Sequence, residues 1–521
     1  MVVTDLIRDC AERHASRPAL IELGPGGRAT PGATVTYGAL YEQTLRLCQA
    51  LLARGLTPGD RIAVLLENSV PMVVTEWACL RVGFLWVSLN TRSSAEELTA
   101  ILADSSPRVL FVADRYRSLL PAVSTAAGCE VITVGESSSA WDELIATGRA
   151  EEPSCAVSSE QPVRIRYTSG TAGRAKGAVL ARRCYDASVE SVADVIGPVS
   201  GADVLLQVAP MTHASGAMLL PHVAAGACAL LARRFDVGEF IDVVERFRVS
   251  SVFLVPTMLV RLLERVDDRA PLSCLKTIVY GGASMPVDRL RTGLELLGPV
   301  FVQIYGLTES TWPVTVLRRD DHMGADGLIA GRERLASCGR PTPVGEVRVV
   351  DAAGRDVVDG ASGELWVRGR NTMLGYWRGG VVGGDRPPDD EKGLDGDGWM
   401  HTGDVAVRDA EGFVTIVDRL HDMIVSGGFN VYPREVEDAL STHEAVLESA
   451  VVGRPSREWG EAVHAFVVLR DGASAGPDEL IAHCGRHVAA YKKPKSIELV
   501  DELPKNAAGK ILRRRLRERT G

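Results

Sequence analysis

Short, uninterrupted apolar runs recur through the first three hundred residues, and most lead into a segment with helical spacing. RIAVLLENS (61–69) reads as a buried strand leaving a turn, with 72–82 as its helical partner. RVLFVAD (108–114), EVITVG (130–135), VLLQVAP (204–210) and VSSVFLVP (249–256) repeat the run, and FDVGEFIDVVERF supplies an amphipathic helix between the last two. Pro256 opens a further helix. LKTIVYGGA then ends at Gly281 and Gly282, where a loop can approach a ligand closely. At the N-terminus Leu6, Ile7 and Cys10 form an apolar stripe among Asp5, Asp9 and Glu12. Strands spaced in this way belong to βα units, so an α/β domain whose strand ends converge on one cleft is expected.

Beyond about residue 340 the period changes. GEVRVVDAAGRDV and GELWVRG alternate apolar and polar residues around turns, which predicts antiparallel structure, and GFVTIVDRL follows as another strand. Residues 379–398 are rich in Gly, Pro and Asp and read as an exposed loop. A chain of 521 residues exceeds a single core. A boundary near Asp418 to Asp422 leaves enough chain for a compact α+β lobe. The expected fold is α/β: a large composite N-terminal domain with layered β-sheets and helices, plus a smaller mobile α+β C-terminal domain.

The formal charge of −9 disfavours a broad nucleic-acid surface. Residues 491–521 run against it, with ten Lys or Arg and four Asp or Glu, and read as a phosphate contact or a solvated basic face. The ten cysteines form no CxxC pair, which suits a reducing, cytoplasmic setting. Asp5, Arg8 and Asp9 interrupt any secretory leader. The uncharged stretch 204–232 contains Gln207, Pro210, His213, Pro221 and His222, so buried strands with a ligand-lining loop explain it better than membrane insertion.

Several segments crowd reactive side chains together. YTSGTAGRAKG (167–177) gathers the hydroxyls of Thr168, Ser169 and Thr171, the backbone of Gly170, and the ammonium of Lys176, a set that can wrap phosphate oxygens. It lacks the order of a Walker A loop, and composition alone leaves a surface loop equally open. In IYGLTES (304–310), Tyr305 can stack on a base and Glu309 can hold magnesium, with core packing and a solvated carboxylate as the plain alternatives. WMHTGD (399–404) ends on Asp404, which can accept from two sugar hydroxyls, while Arg419 can reach ribose or phosphate; the two can also simply pair. Gly427 and Gly428 precede an extended run and a Pro-started helix, and PKNAAGK (504–510) ends on Lys510.

Taken in order, these segments, together with GELWVRG (363–369), GYW (375–377) and DRLHDMIVSGGFNVYPREVE (418–437), resemble the adenylate-forming acyl-CoA synthetase superfamily over nearly the whole chain. The chain is most similar to its stand-alone aryl- or fatty-acyl-CoA ligases. The resemblance implies an ATP- and acid-binding domain over 1–417, a hinge at 418–422 containing His421, and a catalytic lid over 423–521. It implies that Thr168, Ser169, Gly170, Thr171 and Lys176 hold phosphates and that Gly281, Gly282, Ala283 and Gly306 border the nucleotide. Tyr305 would stack on adenine, Thr308 contact phosphate, and Glu309 bind Mg2+. Asp404 and Arg419 would hold the ribose, Gly427 would lie beside the pantetheine route, and Lys510 would drive adenylate formation. Ala172, Ala175 and His421 depart from the family pattern.

The implied activity is a carboxylic acid:CoA ligase that uses ATP, Mg2+ and coenzyme A. An acid is activated as acyl-AMP and passed to the CoA thiol. For the acid pocket, His213 and Ser215 offer polar contacts, with His213 also a catalytic candidate, and Gly281, Ile304 and Trp312 complete the wall, although several of these could serve only to pack the loop. The preferred substrate is a small aromatic or cyclic acid. A medium-chain fatty acid, transfer to a separate acyl-carrier protein or small nucleophile, and a nucleotide-responsive binding protein without turnover are the other readings.

Overall fold

The computed structural model describes the chain except for residues 1–2, 120–128, 136–139, 169–175, 379, 384–392, 427–428, 506–510 and 520–521. Side chains at 29–33, 117, 168, 378, 381, 383, 421 and 430 are also left aside. Two units form by contact. One comprises Met1–Met285, Arg289–Val347 and Val367–His401, and the other Pro286–Asp288, Arg348–Trp366 and Thr402–Gly521.

The first unit holds an eight-stranded and a nine-stranded sheet. In the eight-stranded sheet Arg61–Leu65 is central, flanked in parallel by Leu85–Ser88 and Val109–Ala113, with Glu130–Val134 at one edge. Pro162–Thr168 joins Leu85–Ser88 in parallel, then Lys176–Ala181, Gly375–Arg378 and Val381–Gly383 follow antiparallel. Both faces are buried. Val64, Trp86 and Phe111 point into the main core, whereas Ala63, Leu65, Val87 and Val112 point into a second core on the other side. This explains why the strand runs are continuously apolar rather than alternating.

In the nine-stranded sheet, Val204–Gln207, Ser251–Leu254, Thr277–Gly281 and Phe301–Leu307 run parallel in spatial order. Ser310–Leu317 turns back antiparallel. The helices Tyr37–Ala53, Val70–Val82 and Arg182–Ile196 supply Leu47, Trp77 and Val192 to the core that also contains Leu205, Phe253 and Val302 of this sheet. The uncharged stretch contains the strands Val204–Gln207 and Cys228–Ala232 with the helix Leu219–Ala224 between them. The expected loop at 379–398 contains the short strands Val381–Gly383 and Gly393–Leu394, because edge pairing with Tyr376–Arg378 and with Met400–His401 satisfies backbone groups that composition assigned to solvent.

In the second unit, Asp404–Arg408 of the strand Met400–Arg408 pairs antiparallel with Val414–Arg419. A further sheet is formed by Phe429–Val431, Ile424–Ser426, Gly460–Leu469 and Val446–Ser456, with Ser496–Leu499 parallel to Gly460–Leu469. The helix Pro433–Ser441 starts on proline and buries Val436 and Leu440 against Val451, Val463 and Val467. Part of the basic C-terminal segment pairs within its own unit. Arg513 meets Asp422 and Glu437, Arg517 meets Asp422, and Lys505 meets Glu448.

Candidate active site

Lys176–Ala181 lies between Pro162–Thr168 and Gly375–Arg378, which sets Tyr376 opposite Ala178. The Lys176 ammonium is 5.8 Å from the centroid of the Tyr376 ring. From the other sheet, the tight turn between Phe301–Leu307 and Ser310–Leu317 presents Glu309, which is 3% exposed. The Tyr376 hydroxyl donates to Oε1 of Glu309 at 2.9 Å, and the Met373 N–H donates to the Glu309 carbonyl at 2.8 Å. Lys176, Tyr376 and Glu309 therefore meet where the two sheets of the first unit approach. Tyr376 was visible in the sequence only as part of GYW, since its role depends on pairing with a strand two hundred residues away.

This donor set fits magnesium. A Mg2+ ion takes one or two carboxylates and fills its remaining positions with phosphate oxygens and water, so a single held carboxylate suffices. Among the described residues no group of three or more His, Cys, Asp or Glu forms a metal cluster, as a dedicated protein cage would require.

Tyr305 and Thr308 are partly buried on the same strand and turn as Glu309. Gly281 pairs with Ile304, and a Cβ at Gly281 would fall 2.3 Å from the Ile304 carbonyl oxygen. Gly282, at φ +81°, opens the turn that leaves Gly282 and Ala283 exposed at the strand end. Ile304 itself is buried in the core. Gly306 serves a different neighbour: a Cβ there would lie 2.4 Å from Cδ1 of Trp312, so the missing side chain seats the indole.

Behind Trp312 lies a buried ionic group that the sequence reading passed over. Arg164 and Arg166 alternate on Pro162–Thr168 and so share a face. Arg164 donates to Ser88 and Tyr185 at 3.1 Å and to the Thr212 carbonyl at 2.8 Å, lies 3.6 Å from Glu76, and stacks 4.0 Å over Trp86. Tyr185 donates to Glu76 at 3.0 Å. Burial pushes the Glu76 carboxyl up while Arg164 pulls it down. Arg166 stacks 4.6 Å over Trp312. The signal available was two arginines at i and i+2 in an otherwise apolar strand.

His213 precedes the short helical turn Ala214–Met218, and its Nε2 is enclosed with no partner among the described residues. Burial, then the charges of Arg166 and Arg164, push its pKa down to about 4, so the ring is neutral at neutral pH. Ser215 is fully buried: its hydroxyl donates to Gln207, whose amide donates to the Ser215 carbonyl at 3.0 Å. The structure thus spends Ser215 inside the protein, while Trp312 and His213 stand around the buried arginines.

In the second unit, Asp404 and Arg419 face each other across the strand pair, and Arg419 Nε lies 3.3 Å from Asp404 Oδ1. Asp404 is buried, and Arg419 is one-third exposed. Ser169, Gly170, Thr171, Gly427 and Lys510 lie outside the described residues, as do the side chains of Thr168 and His421.

Residues 7–377 match the family model of the AMP-binding enzymes, and residues 435–510 match the model of the AMP-binding enzyme C-terminal domain. The chain belongs to the AMP-binding enzyme family. It is an AMP-forming acid–thiol ligase, which sets aside the reading of a binding protein without turnover. Its relatives include a feruloyl-CoA synthase of Amycolatopsis sp, 37% identical over 94% of this chain and 95% of that protein. They also include the fatty acid–[acyl-carrier-protein] ligase ScoC of Streptomyces coeruleorubidus, 34% identical over 94% and 92%. Among solved structures, o-succinylbenzoate CoA synthetase (MenE) from Bacillus subtilis with its acyl-adenylate superposes with a TM-score of 0.82, at 30% identity over 98% of this chain and 97% of that one. MenE has also been solved with ATP and a magnesium ion. Among the described residues no helix is long and apolar enough to cross a membrane.

Proposed function

We propose that this ligase activates a small aromatic or cyclic carboxylic acid and delivers it to coenzyme A. The observation that carries the reading is the meeting of Lys176 and Glu309 around Tyr376, in a chain whose relatives include a feruloyl-CoA synthase and whose structural neighbour holds an aromatic acyl-adenylate. ATP and coenzyme A are the co-substrates, with Mg2+ as the metal. The acid carboxylate attacks the α-phosphorus, pyrophosphate leaves, and the acyl-AMP then passes its acyl group to a thiol with release of AMP.

Magnesium bound at Glu309 would supply positive charge against the phosphates. Lys176 adds a second cation from the adjacent strand, and Tyr376 fixes the carboxylate that faces it. Lys510 is assigned to charge stabilisation in the first stage, and residues 418–422 to the hinge over which the C-terminal lid changes position for the second. Asp404 and Arg419 are assigned to the ribose, Tyr305 to adenine, Thr308 to phosphate, and His213 to the acid as a neutral hydrogen-bonding ring.

Acid-dependent exchange of pyrophosphate into ATP across a panel of aryl, cyclic and alkyl acids tests the first stage, and thioester formation tests the second. Exchange without any carboxylic acid dependence rejects the assignment. Transfer to a separate acyl-carrier protein is the second reading, favoured by the similarity to ScoC. Competition between coenzyme A and a carrier for the same acyl-AMP separates the two.

A further inference from the structure

Arg166 carries more donor capacity than its surroundings use. It is 6% exposed, and neither Nε nor Nη1 has a hydrogen-bond partner among the described residues. Stacking on Trp312 engages the face of the guanidinium and leaves these in-plane N–H groups unspent. The surrounding charge is unbalanced in the same sense, with Arg164 and Arg166 against Glu76. Burial and the neighbouring Arg164 push Arg166 down to about 9, the mark of a cation held without adequate compensation.

A cavity of about 30 Å³ opens against this group, lined by Glu76, Arg166, Ser188, Ala217, Thr311 and Trp312 among others. That is room for one or two water-sized polar atoms, and too little for a whole acid. The hydroxyls on its wall donate elsewhere. Ser188 donates to the Trp312 carbonyl at 2.8 Å, Thr311 to the Cys184 carbonyl at 3.2 Å, and Tyr185 to Glu76. The unspent N–H donors at the cavity are therefore Nε and Nη1 of Arg166 together with Nε of Arg164, and what they lack is an acceptor, preferably an anion with two oxygens in one plane. Trp312 follows Glu309 by three residues, at most about 10 Å of extended chain. The cavity wall at Trp312 is thus within a few residues of chain of the carboxylate at the phosphate end.

We infer that Arg166 is a specificity residue which binds a second carboxylate at the distal end of the acid substrate, making the preferred substrate a dicarboxylic acid built on a ring. The inference rests on the proposed acid activation and on Trp312 bordering the acid. The reacting carboxylate stays at the nucleotide, and the distal one fills the cavity and supplies the missing charge. Inorganic anions share this chemistry, so the test must separate a substrate carboxylate from a free ion.

The experiment compares matched acids, benzoate with its para-carboxy analogue and phenylacetate with its para-carboxymethyl analogue, by kcat/KM for acid-dependent exchange. Binding calorimetry of the same acids without ATP, and of chloride and sulfate, is the second readout. In the wild type the dicarboxylates are favoured at least tenfold. In Arg166→Met that ratio falls at least tenfold, and Arg166→Lys recovers part of it. Equal use of mono- and dicarboxylates by the wild type overturns the inference, as does an R166M ratio unchanged from wild type. Chloride or sulfate binding that needs Arg166, without any dicarboxylate advantage, also overturns it in favour of a free-ion site. If no acid supports exchange, the acid-activation reading fails on its own. The calorimetric comparison of dicarboxylate binding to wild type, R166M and R166K then still decides for or against the Arg166 site.

Discussion

The Tyr376 hydroxyl donates to Oε1 of Glu309 across 2.9 Å, joining the strand next to one edge of the eight-stranded sheet to the turn between two strands of the other. A hydrogen bond to a buried charged acceptor contributes about 1.5–3 kcal/mol. Tyr376→Phe removes it without changing the ring that faces Lys176. We expect acid-dependent exchange to fall roughly 10- to 100-fold, with more Mg2+ needed for half-maximal rate. Glu309→Gln should lower the rate further. Initial rates over a magnesium titration check this, and identical curves for Y376F and wild type would show that the bond holds nothing the reaction needs.

Gly306 and Trp312 form a second dependency. Gly306→Ala places a methyl group 2.4 Å from Cδ1 of the indole, so Trp312 must shift, and with it the stack that covers Arg166. Forcing a side chain out of a packed position costs about 1–3 kcal/mol. The expected result is a lower urea midpoint together with a change in tryptophan emission. An unchanged midpoint would mean that the indole relocates at no cost.

Asp404 and Arg419 make opposite demands on experiment according to role. A merely structural pair would leave nucleotide use untouched and show its loss in stability alone. As ribose ligands, Asp404→Ala should raise the KM for ATP about tenfold or more, on the order of the 1.4 kcal/mol per decade of affinity. The KM for the acid should change little. If D404A lowers thermal stability while both constants stay at wild-type values, the pair is structural.

How much of this was legible in the chain follows from the range of each interaction. The strands at 61–65, 109–113 and 277–281 announced themselves because a parallel sheet buried on both faces needs apolar residues at every position, a local signal. Lys176 and Glu309 were legible through the motifs that contain them. Tyr376 acquires its partner only through a strand pairing with Ala178, and Arg166 acquires its meaning only when Trp312, three residues past the Glu309 turn, folds over it. Ser215 shows the converse: a hydroxyl in a pocket-like sequence is consumed by Gln207, eight residues earlier, which no composition or spacing distinguishes from a free one. The basic segment after residue 491 was ambiguous for the same reason, since Asp422, Glu437 and Glu448 lie far back in the chain.

The strand that ends at Gly281 also carries a pH dependence. His322 is buried, and its Nδ1–H donates to the Arg318 carbonyl at 2.8 Å, which leaves Nε2 to accept from the Tyr280 hydroxyl at 3.0 Å. Burial pushes its pKa down to about 4, outweighing the Arg318 carbonyl and the Asp321 carboxylate, which favour the charged ring. Between about pH 6.5 and 4 the unfolded chain takes up a proton here that the folded chain refuses. Stability is therefore complete above 6.5 and declines as the pH falls toward 4, by up to about 3 kcal/mol from this one ring. His222, equally buried and also held down to about 4, adds a decline of the same sign. His322→Gln can keep a donor toward Arg318 and an acceptor toward Tyr280 while removing the titration. Urea midpoints measured from pH 7 to 4.5 should slope less steeply for H322Q than for wild type. Parallel slopes would mean that His322 binds protons alike in both states, and that the Tyr280 contact places no constraint on the ring.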